Sequence, residues 1–383
     1  MTSVVMGPTA TQLLGDHGAD VIKVEAPAGD TTRQVTPLKH EGMGYVYLQK
    51  NRNKRSVVLD LRQAEHFAAL ERLLQSPDIF VYSVRPPAMR RLGLTPERFV
   101  ELNPQMISVS LVGYGEGGPY TDRPAYEDLI QGLTAIPSLL ARTGSPEPHY
   151  VPVSFNDHAV GAYAAAMMMI ALNHRNATGE GQHIEVPMFE TMAQLVIGDH
   201  MGGMAYIPPI GPPGYKRTLT AERRPYRTKD GYICVIVYTD SHWRAFGNLI
   251  GRPDLLTEDE RFRSIGSRTE HAEAVYALVR EQMLTGTTDE WLDRLNAADI
   301  PATTLHTLES IFDDPHLRAT GFFDEVEHPA EGRLLIARGP KSWSKTPPQI
   351  RRPAPRLGEN TAEVLTEIGS AEEDARRIAG GGA

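Results

Sequence analysis

The apolar positions of the chain fall into short runs and longer spaced patterns that alternate. Residues 19–25 (ADVIKVE), 56–61 (SVVLDL), 79–82 (IFVY), 106–111 (MISVSL) and 183–186 (HIEV) read as strands. Between them, residues 7–18, 64–74 and 96–102 carry helical spacing, with Phe67, Leu70, Leu73 and Leu74 sharing one side of the second. Strand, helix, strand at this spacing predicts an α/β fold with a doubly wound parallel sheet. No strand is read ahead of Met6, where such a sheet usually has its first. That edge is expected from residues preceding the chain or from another segment.

The stretch 154–186 is the one the rest is organised around. Ser154 or Asn156 can cap a helix there, with Asp157 in its first turn. Gly161, Ala162, Ala164, Ala165 and Ala166 leave room for another backbone to approach closely. Met167, Met168, Met169, Ile170 and Leu172 are apolar on nearly every face, which predicts a helix buried all round. His174 and Arg175 suit the negative end of the helix dipole, and Gly179 and Gly181 close the element. Asp157 then has two readings: a cap that satisfies free backbone N–H groups, or an ionised nucleophile that the helix end keeps charged. Spacing alone leaves both open.

Beyond residue 198 the pattern changes. Residues 199–221 are rich in glycine and proline and read as a linker or loop. Residues 222–312 predict a smaller α+β domain: a strand at 226–232 turns through Asp230-Gly231 into 233–237, and helices follow near 243–250, 271–284 and 288–297. From 321 onward strand-like pieces return, interrupted by Pro347, Pro348, Pro353 and Pro355.

Composition narrows the function classes. A chain of 383 residues with 41% apolar and 23% charged residues suits a soluble protein of two to three domains. The single cysteine, Cys234, excludes an internal disulfide and a Cys-rich metal site, and no metal is expected. No signal peptide or membrane-length apolar run is read, so the cytoplasm is expected. The net charge of −9 argues against nucleic acid. Positive charge is concentrated at residues 50–55 (KNRNKR) and at Arg85, Arg90 and Arg91, either as solvated faces or as sites for a polyanionic ligand. The glycines of 113–118 (GYGEGG) lack the dinucleotide spacing and precede Pro119, so a turn is read there instead of a nicotinamide site.

Several motifs in one order then point to a family. GPTATQLLGDHGADVIKVEAPAGDTTR, NRNKRSVVLDL, RLGLTPERFVELNPQMISVSLVGYGEGGP, ATGEGQHIEVPMFE, YRTKDGYI, WLDRLNAADIPATTL, DPHLRATGFF and APRLGENTAEVL together resemble the family III CoA-transferases. The α-methylacyl-CoA racemases are relatives of that group. The resemblance implies a large doubly wound domain built from residues 1–198 and 313–383, a smaller α+β domain between them, and an interlocked homodimer. It implies CoA and acyl-CoA as substrates, a carboxylic acid as acceptor, and no tightly bound cofactor.

By the same resemblance, Asp157 is the nucleophile of an acyl-anhydride mechanism. CoA contacts carry over to Val4, Val5, Lys54, Ser83, Val84, Ala88, Arg91 and Tyr126. Gly211 and Gly214 fall near the family's glycine loop, where the neighbouring prolines leave only Gly211, Gly214 or Tyr215 as backbone donors. Met6, Tyr126, Tyr150 and Tyr215 are candidate walls of the substrate pocket. Tyr126 occupies the position where the racemases carry histidine, which favours transfer over racemisation. An acyl-CoA racemase or epimerase and a non-enzymatic CoA-binding homologue are the alternatives.

Overall fold

The short apolar runs become strands, and most of the intervening chain becomes helix, in the computed structural model, which describes residues 1–380. The first elements are α1 (Met6–Asp16), β1 (Val21–Glu25), α2 (Tyr45–Lys50), β2 (Lys54–Val58), α3 (Ala64–Leu73) and β3 (Ile79–Tyr82). Then come α4 (Pro86–Arg91), α5 (Pro96–Leu102), β4 (Ile107–Val112), α6 (Glu127–Leu133), α7 (Ile136–Arg142), α8 (Phe155–Thr178), β5 (His183–Pro187) and α9 (Met188–His200). Next are β6 (Tyr226–Arg227), β7 (Tyr232–Val235), α10 (Asp240–Leu249), α11 (Leu255–Glu258), α12 (Ile265–Glu270), α13 (Ala272–Met283), α14 (Thr288–Ala297) and β8 (Ala302–Thr304). The last are α15 (Pro315–Ala319), β9 (Phe323–His328), β10 (Gly332–Ala337), α16 (Thr361–Glu367) and α17 (Glu372–Gly380).

The chain divides into two units. Residues 1–134, 151–194 and 316 onward form the first, and residues 135–150 and 195–315 form the second. The Gly/Pro-rich stretch 199–221 and helix α7 are therefore parts of the second unit.

In the first unit β3, β4 and β5 pair in parallel, with Ile79 opposite Ile107 and Ser108 opposite His183. Strands β1 and β2 form a separate parallel pair, with Val21 opposite Lys54. The sheet is thus in two hydrogen-bonded pieces where one continuous sheet was expected. Residues 1–3 run along β3: Met1 N donates to Val81 O (2.9 Å) and Ser83 N to Met1 O (3.1 Å). Lys23 of β1 reaches the same segment through Thr2 O (2.9 Å). Three residues are too few to build a ladder across the gap.

The period of two explains why both faces of the strands are apolar. Val81 joins Ile107, Val109 and Leu111 of β4 and Val160, Ala164 and Met168 of α8 in one core cluster. Phe80 and Tyr82 point the other way, to Leu70 of α3, Phe99 of α5 and Val364 of α16. The tail was read only as strand-like pieces; β9 and β10 form an antiparallel hairpin, but α16 and α17 are helices. Asn360, just before α16, receives Ser56 N on its side chain (3.1 Å) and gives its own N–H to Ser56 O (2.9 Å).

Helix α8 departs from its reading. Its buried face holds Val160, Gly161, Ala164, Ala165, Met168 and Ala171, while Tyr163, Met169 and Ile170 are exposed, Ile170 by 62%. One side faces α1 and β4, and the other is only partly covered by the described residues. Gly179 ends the helix with φ 81°, a conformation that favours glycine.

The second unit pairs β6, β7 and β8 antiparallel. Its core is Trp243 and Phe246 of α10, Val279 and Met283 of α13, and Trp291 and Leu295 of α14. Thr287 and Glu290 form a capping box at the start of α14. Among the described residues no helix is long and apolar enough to cross a membrane.

Candidate active site

Ser154 stands at the N-cap of α8, but its hydroxyl makes no capping bond. The cap comes from 30 residues upstream. Glu127, in the first turn of α6, accepts from Asn156 N through Oε1 (3.1 Å) and from Asp157 N through Oε2 (2.9 Å). Gln131 Nε2 donates to the same Oε1 (2.9 Å), and Asn156 Nδ2 donates to Glu127 O (3.2 Å). Neither Ser154 nor Asn156 caps the helix as read, and Asp157 is relieved of that role.

Asp157 is 8% exposed. Among the described residues no hydrogen bond or ion pair reaches its carboxylate, and no arginine neutralises it. Burial first, and the charge of Glu127 second, push its pKa up from 3.8 to about 7. This corrects the expectation that the helix end keeps it firmly ionised. Withdrawal from water and a second carboxylate together outweigh the helix dipole, which is worth up to ~2 kcal/mol when partly buried. His158 is turned away from this chemistry: its Nδ1–H donates to Ser154 O (2.6 Å).

One helical turn beyond Asp157, Gly161 lets α1 approach. A Cβ there would lie 2.5 Å from Met6 O, so the opening turn of α1 sits directly against α8. The N–H groups of Met6 and Gly7 have no partner within α1, as is usual for the first donors of a helix. Val4 precedes them with φ 64°, an uncommon value for a β-branched residue. Its N–H donates to Asp30 Oδ1 (3.2 Å), and Asp30 is held by a buried ion pair to Lys23 (2.8 Å).

One contact links two groups of the expected CoA positions. Ser3 N donates to Ser83 Oγ (3.3 Å), which sets Ser83 beside Val4 and Val5. Val84 and Ala88 follow, half-buried, into α4. Tyr126 lies next to Glu127 and is 68% exposed. Met6 is buried, and Tyr150 and Tyr215 belong to the second unit.

Lys54 does not fit its expected role. It is buried, and its three ammonium protons go to Pro8 O (3.0 Å), Lys50 O (2.9 Å) and Asn51 Oδ1 (2.9 Å), leaving none for a phosphate. Its pKa is driven well below the usual lysine value by burial. Both arginines of the cluster at 50–55 are likewise committed: Arg52 pairs with Asp16 (2.5 Å), and Arg55 pairs with Asp20 (2.6 Å) and Glu367 (2.7 Å). Of the second cluster, Arg90 pairs with Asp122 (2.8 Å), whereas Arg85 and Arg91 are exposed without an ionic partner among the described residues.

In the second unit, Gly214 N donates to His200 O (2.8 Å) and Tyr215 N to His200 Nδ1 (3.2 Å). Two of the three backbone donors expected of the glycine loop are therefore taken, and Gly211 N remains. The stretch read as a linker folds back on itself, with Gly203 N donating to Pro212 O (3.1 Å) and Ile210 N to Gly203 O (3.1 Å).

Comparison with known proteins decides the family. The model of CoA-transferase family III matches residues 1–361. The chain belongs to CoA-transferase family III. A succinate–glutarate CoA-transferase of Agrobacterium fabrum is 31% identical over 98% of this chain and 95% of its own length. A formyl-CoA:oxalate CoA-transferase of Streptomyces avermitilis is 31% identical over 100% of this chain and 97% of its own. Among solved structures, Rv3272 from Mycobacterium tuberculosis in an orthorhombic form matches with TM-score 0.79 and 30% identity, covering 94% of this chain and 95% of that one. This chain is an enzyme of that family.

Glu127 is the residue of this transferase that sequence reading missed. Its only signal was a carboxylate following Tyr126 at a helix start, with no hint of which helix it would cap.

The raised pKa of Asp157 has a consequence for stability. The folded state holds this proton more tightly than the unfolded chain does, so ionising it in place costs stability. The cost is absent below about pH 4, grows as pH rises toward 7, and is complete above that. Asp157→Asn removes it. The variant is expected to be more stable than the wild type above pH 7, by on the order of a few kcal/mol, and to lose that advantage near pH 4. Urea unfolding at several pH values measures this, and equal stabilities across the range would contradict the assigned shift.

Proposed function

We propose that this transferase moves CoA between two carboxylic acids through covalent intermediates on Asp157. The Asp157 carboxylate attacks the thioester carbonyl of an acyl-CoA and expels CoA thiolate, leaving an aspartyl acyl anhydride. The thiolate attacks the aspartyl carbonyl and releases the donor acid, leaving an aspartyl-CoA thioester. The acceptor carboxylate displaces the thiolate again, and the thiolate takes the new acyl group from the second anhydride. Every intermediate is activated, so no ATP is needed. The observation that carries this reading is a buried carboxylate with no partner among the described residues and no capping duty.

The opening turn of α1, packed against Gly161 one turn along α8 from Asp157, is the nearest source of backbone N–H donors for the oxyanion that forms at each attack. Arg85 and Arg91 suit the CoA phosphates, with Val4, Val5, Ser83, Val84, Ala88 and Tyr126 along the rest of the molecule. The Agrobacterium and Streptomyces relatives are named for short acids, and on that support a short-chain carboxylate is the acceptor proposed. Racemisation is disfavoured by Tyr126, a phenol where proton transfer at the α-carbon would want an imidazole.

With acyl-CoA present, hydroxylamine should trap a hydroxamate on the peptide containing Asp157, visible by mass spectrometry. An unmodified peptide during turnover would refute the covalent route. Because attack needs the ionised carboxylate, kcat/KM should fall below about pH 7. Glu127→Gln removes the like charge and should move that limb to lower pH; a limb unmoved by the substitution would detach Glu127 from it.

We further propose a cytoplasmic, interlocked homodimer, supported by the exposed apolar face of α8. Light scattering should then give twice the 42.2 kDa of one chain, and a monomeric mass would exclude it.

A further inference from the structure

Gln131 stands one turn along α6 from Glu127 and is fully buried. Its side chain joins two stretches that the sequence separates. Oε1 accepts from Val151 N (2.8 Å), and Nε2 donates to Glu127 Oε1 (2.9 Å) and to Val151 O (3.4 Å). The chain leaves the first unit after Thr134 and returns to it at Val151. Gln131 therefore grips the returning chain, just ahead of α8, with both ends of its amide.

These partners permit one orientation of the amide. Turned over, Nε2 would face the Val151 N–H, donor against donor, and Oε1 would face the Glu127 carboxylate, acceptor against acceptor. Val151 thus dictates that Gln131 present an N–H to Glu127. Glu127 then receives three N–H donors, from Gln131 and Asn156 on Oε1 and from Asp157 on Oε2 (2.9 Å). Three donors suit a carboxylate that carries no proton. The titratable groups on other elements packed against α8 are engaged elsewhere. Asp16 of α1 pairs with Arg52 (2.5 Å), His183 of β5 bonds to Ser108 Oγ (2.9 Å), and Glu185 accepts from Glu116 N (2.9 Å). Asp128 of α6 is exposed, His158 donates to Ser154 O, and His174 and Arg175 lie at the far end of α8. Glu127 is the charge that acts on Asp157.

We propose that Gln131 is a positioning residue for the transfer reaction: fixed by Val151, it holds Glu127 as an acceptor at the mouth of α8 and so sets the negative charge that Asp157 faces. The proposal rests on Asp157 as the reacting carboxylate.

Two measurements test it, one of which needs no substrate. The stability gap between an Asp157→Asn variant and its Asp157 parent, followed by urea unfolding against pH, reports the titration of Asp157 directly. In a Gln131→Met background Glu127 loses a donor and its anchor, and the charge facing Asp157 weakens. The gap should then reach its full size at least about half a pH unit lower. The acidic limb of kcat/KM for succinyl-CoA with glutarate should move down by the same amount. In a Glu127→Gln background Gln131→Met should add no further movement. Gln131→Asn keeps an amide one methylene too short to span both partners; it should move both readouts in the same direction and carries the test if Gln131→Met does not fold. Thr134→Val removes a buried bond to Ile130 O (2.7 Å) in the turn that ends α6 and should leave both readouts unmoved. If hydroxylamine traps nothing on Asp157 while the gap still moves, the covalent route fails and the hold of Gln131 on the charge at Asp157 stands. A gap and a limb that stay in place in both Gln131 variants would overturn the proposal, as would an equal movement caused by Thr134→Val.

Discussion

The bond from Glu127 to the first turn of α8 is the constraint on which the site depends. It meets two needs with one carboxylate. The backbone N–H groups of Asn156 and Asp157 need an acceptor, since they open a 24-residue helix whose next partners lie inside it. By supplying that acceptor from α6, Glu127 leaves the Asp157 side chain uncommitted. The same negative charge then makes Asp157 harder to ionise. An anion at a helix N-terminus is ordinarily stabilised. Here the favourable position goes to the capping residue, and the reactive one is left less comfortable. A less stabilised carboxylate is a better nucleophile, and the fold bears the cost.

A second chain of contacts fixes the facing wall. Lys23 and Asp30 form an ion pair from which water is almost wholly excluded. Such a pair gives little net stability, because desolvation offsets attraction, but it fixes geometry strongly. What it fixes is Val4, through the bond from Val4 N to Asp30, and with Val4 the direction in which α1 begins. Glu25 and Arg33 repeat the arrangement beside it (2.7 Å), with Tyr47 donating on to Pro355 O (3.0 Å). Arg52, Lys54 and Arg55, read as candidates for phosphate binding, serve instead to lock β2 and the turn before it to their neighbours.

The legible parts of the sequence were those set by local pattern. The parallel strands, the extent of α8, its glycine stop and the place of Asp157 at its mouth follow from periodicity and from residues with strong local preferences. What escaped depends on partners distant in the chain. Nothing near residue 157 announces a cap from residue 127. A lysine at 54 looks the same in sequence whether its ammonium meets solvent or three protein oxygens. The apolar circumference of α8 was read as total burial, because the pattern says how much of a helix avoids water and not whether its own chain supplies the cover. Helices α16 and α17 were missed where nearby prolines masked them. The family resemblance chose between the two readings that periodicity left open at Asp157, and it carried Lys54 to a role its surroundings do not allow.

The closing of the first unit by Asn360 and α16 has a consequence for synthesis. Ser56 and Val58 of β2 wait for acceptors and donors about 300 positions later, at Asn360 and Thr361. While a ribosome is still translating the intervening residues, that edge has no cover and its apolar side chains have no lid. The inserted unit is synthesised in the meantime and can fold first, from sequence nearly contiguous with itself. A nascent chain therefore carries an unfinished sheet for most of its elongation, and its exposure to holding chaperones ends only when the last helices emerge.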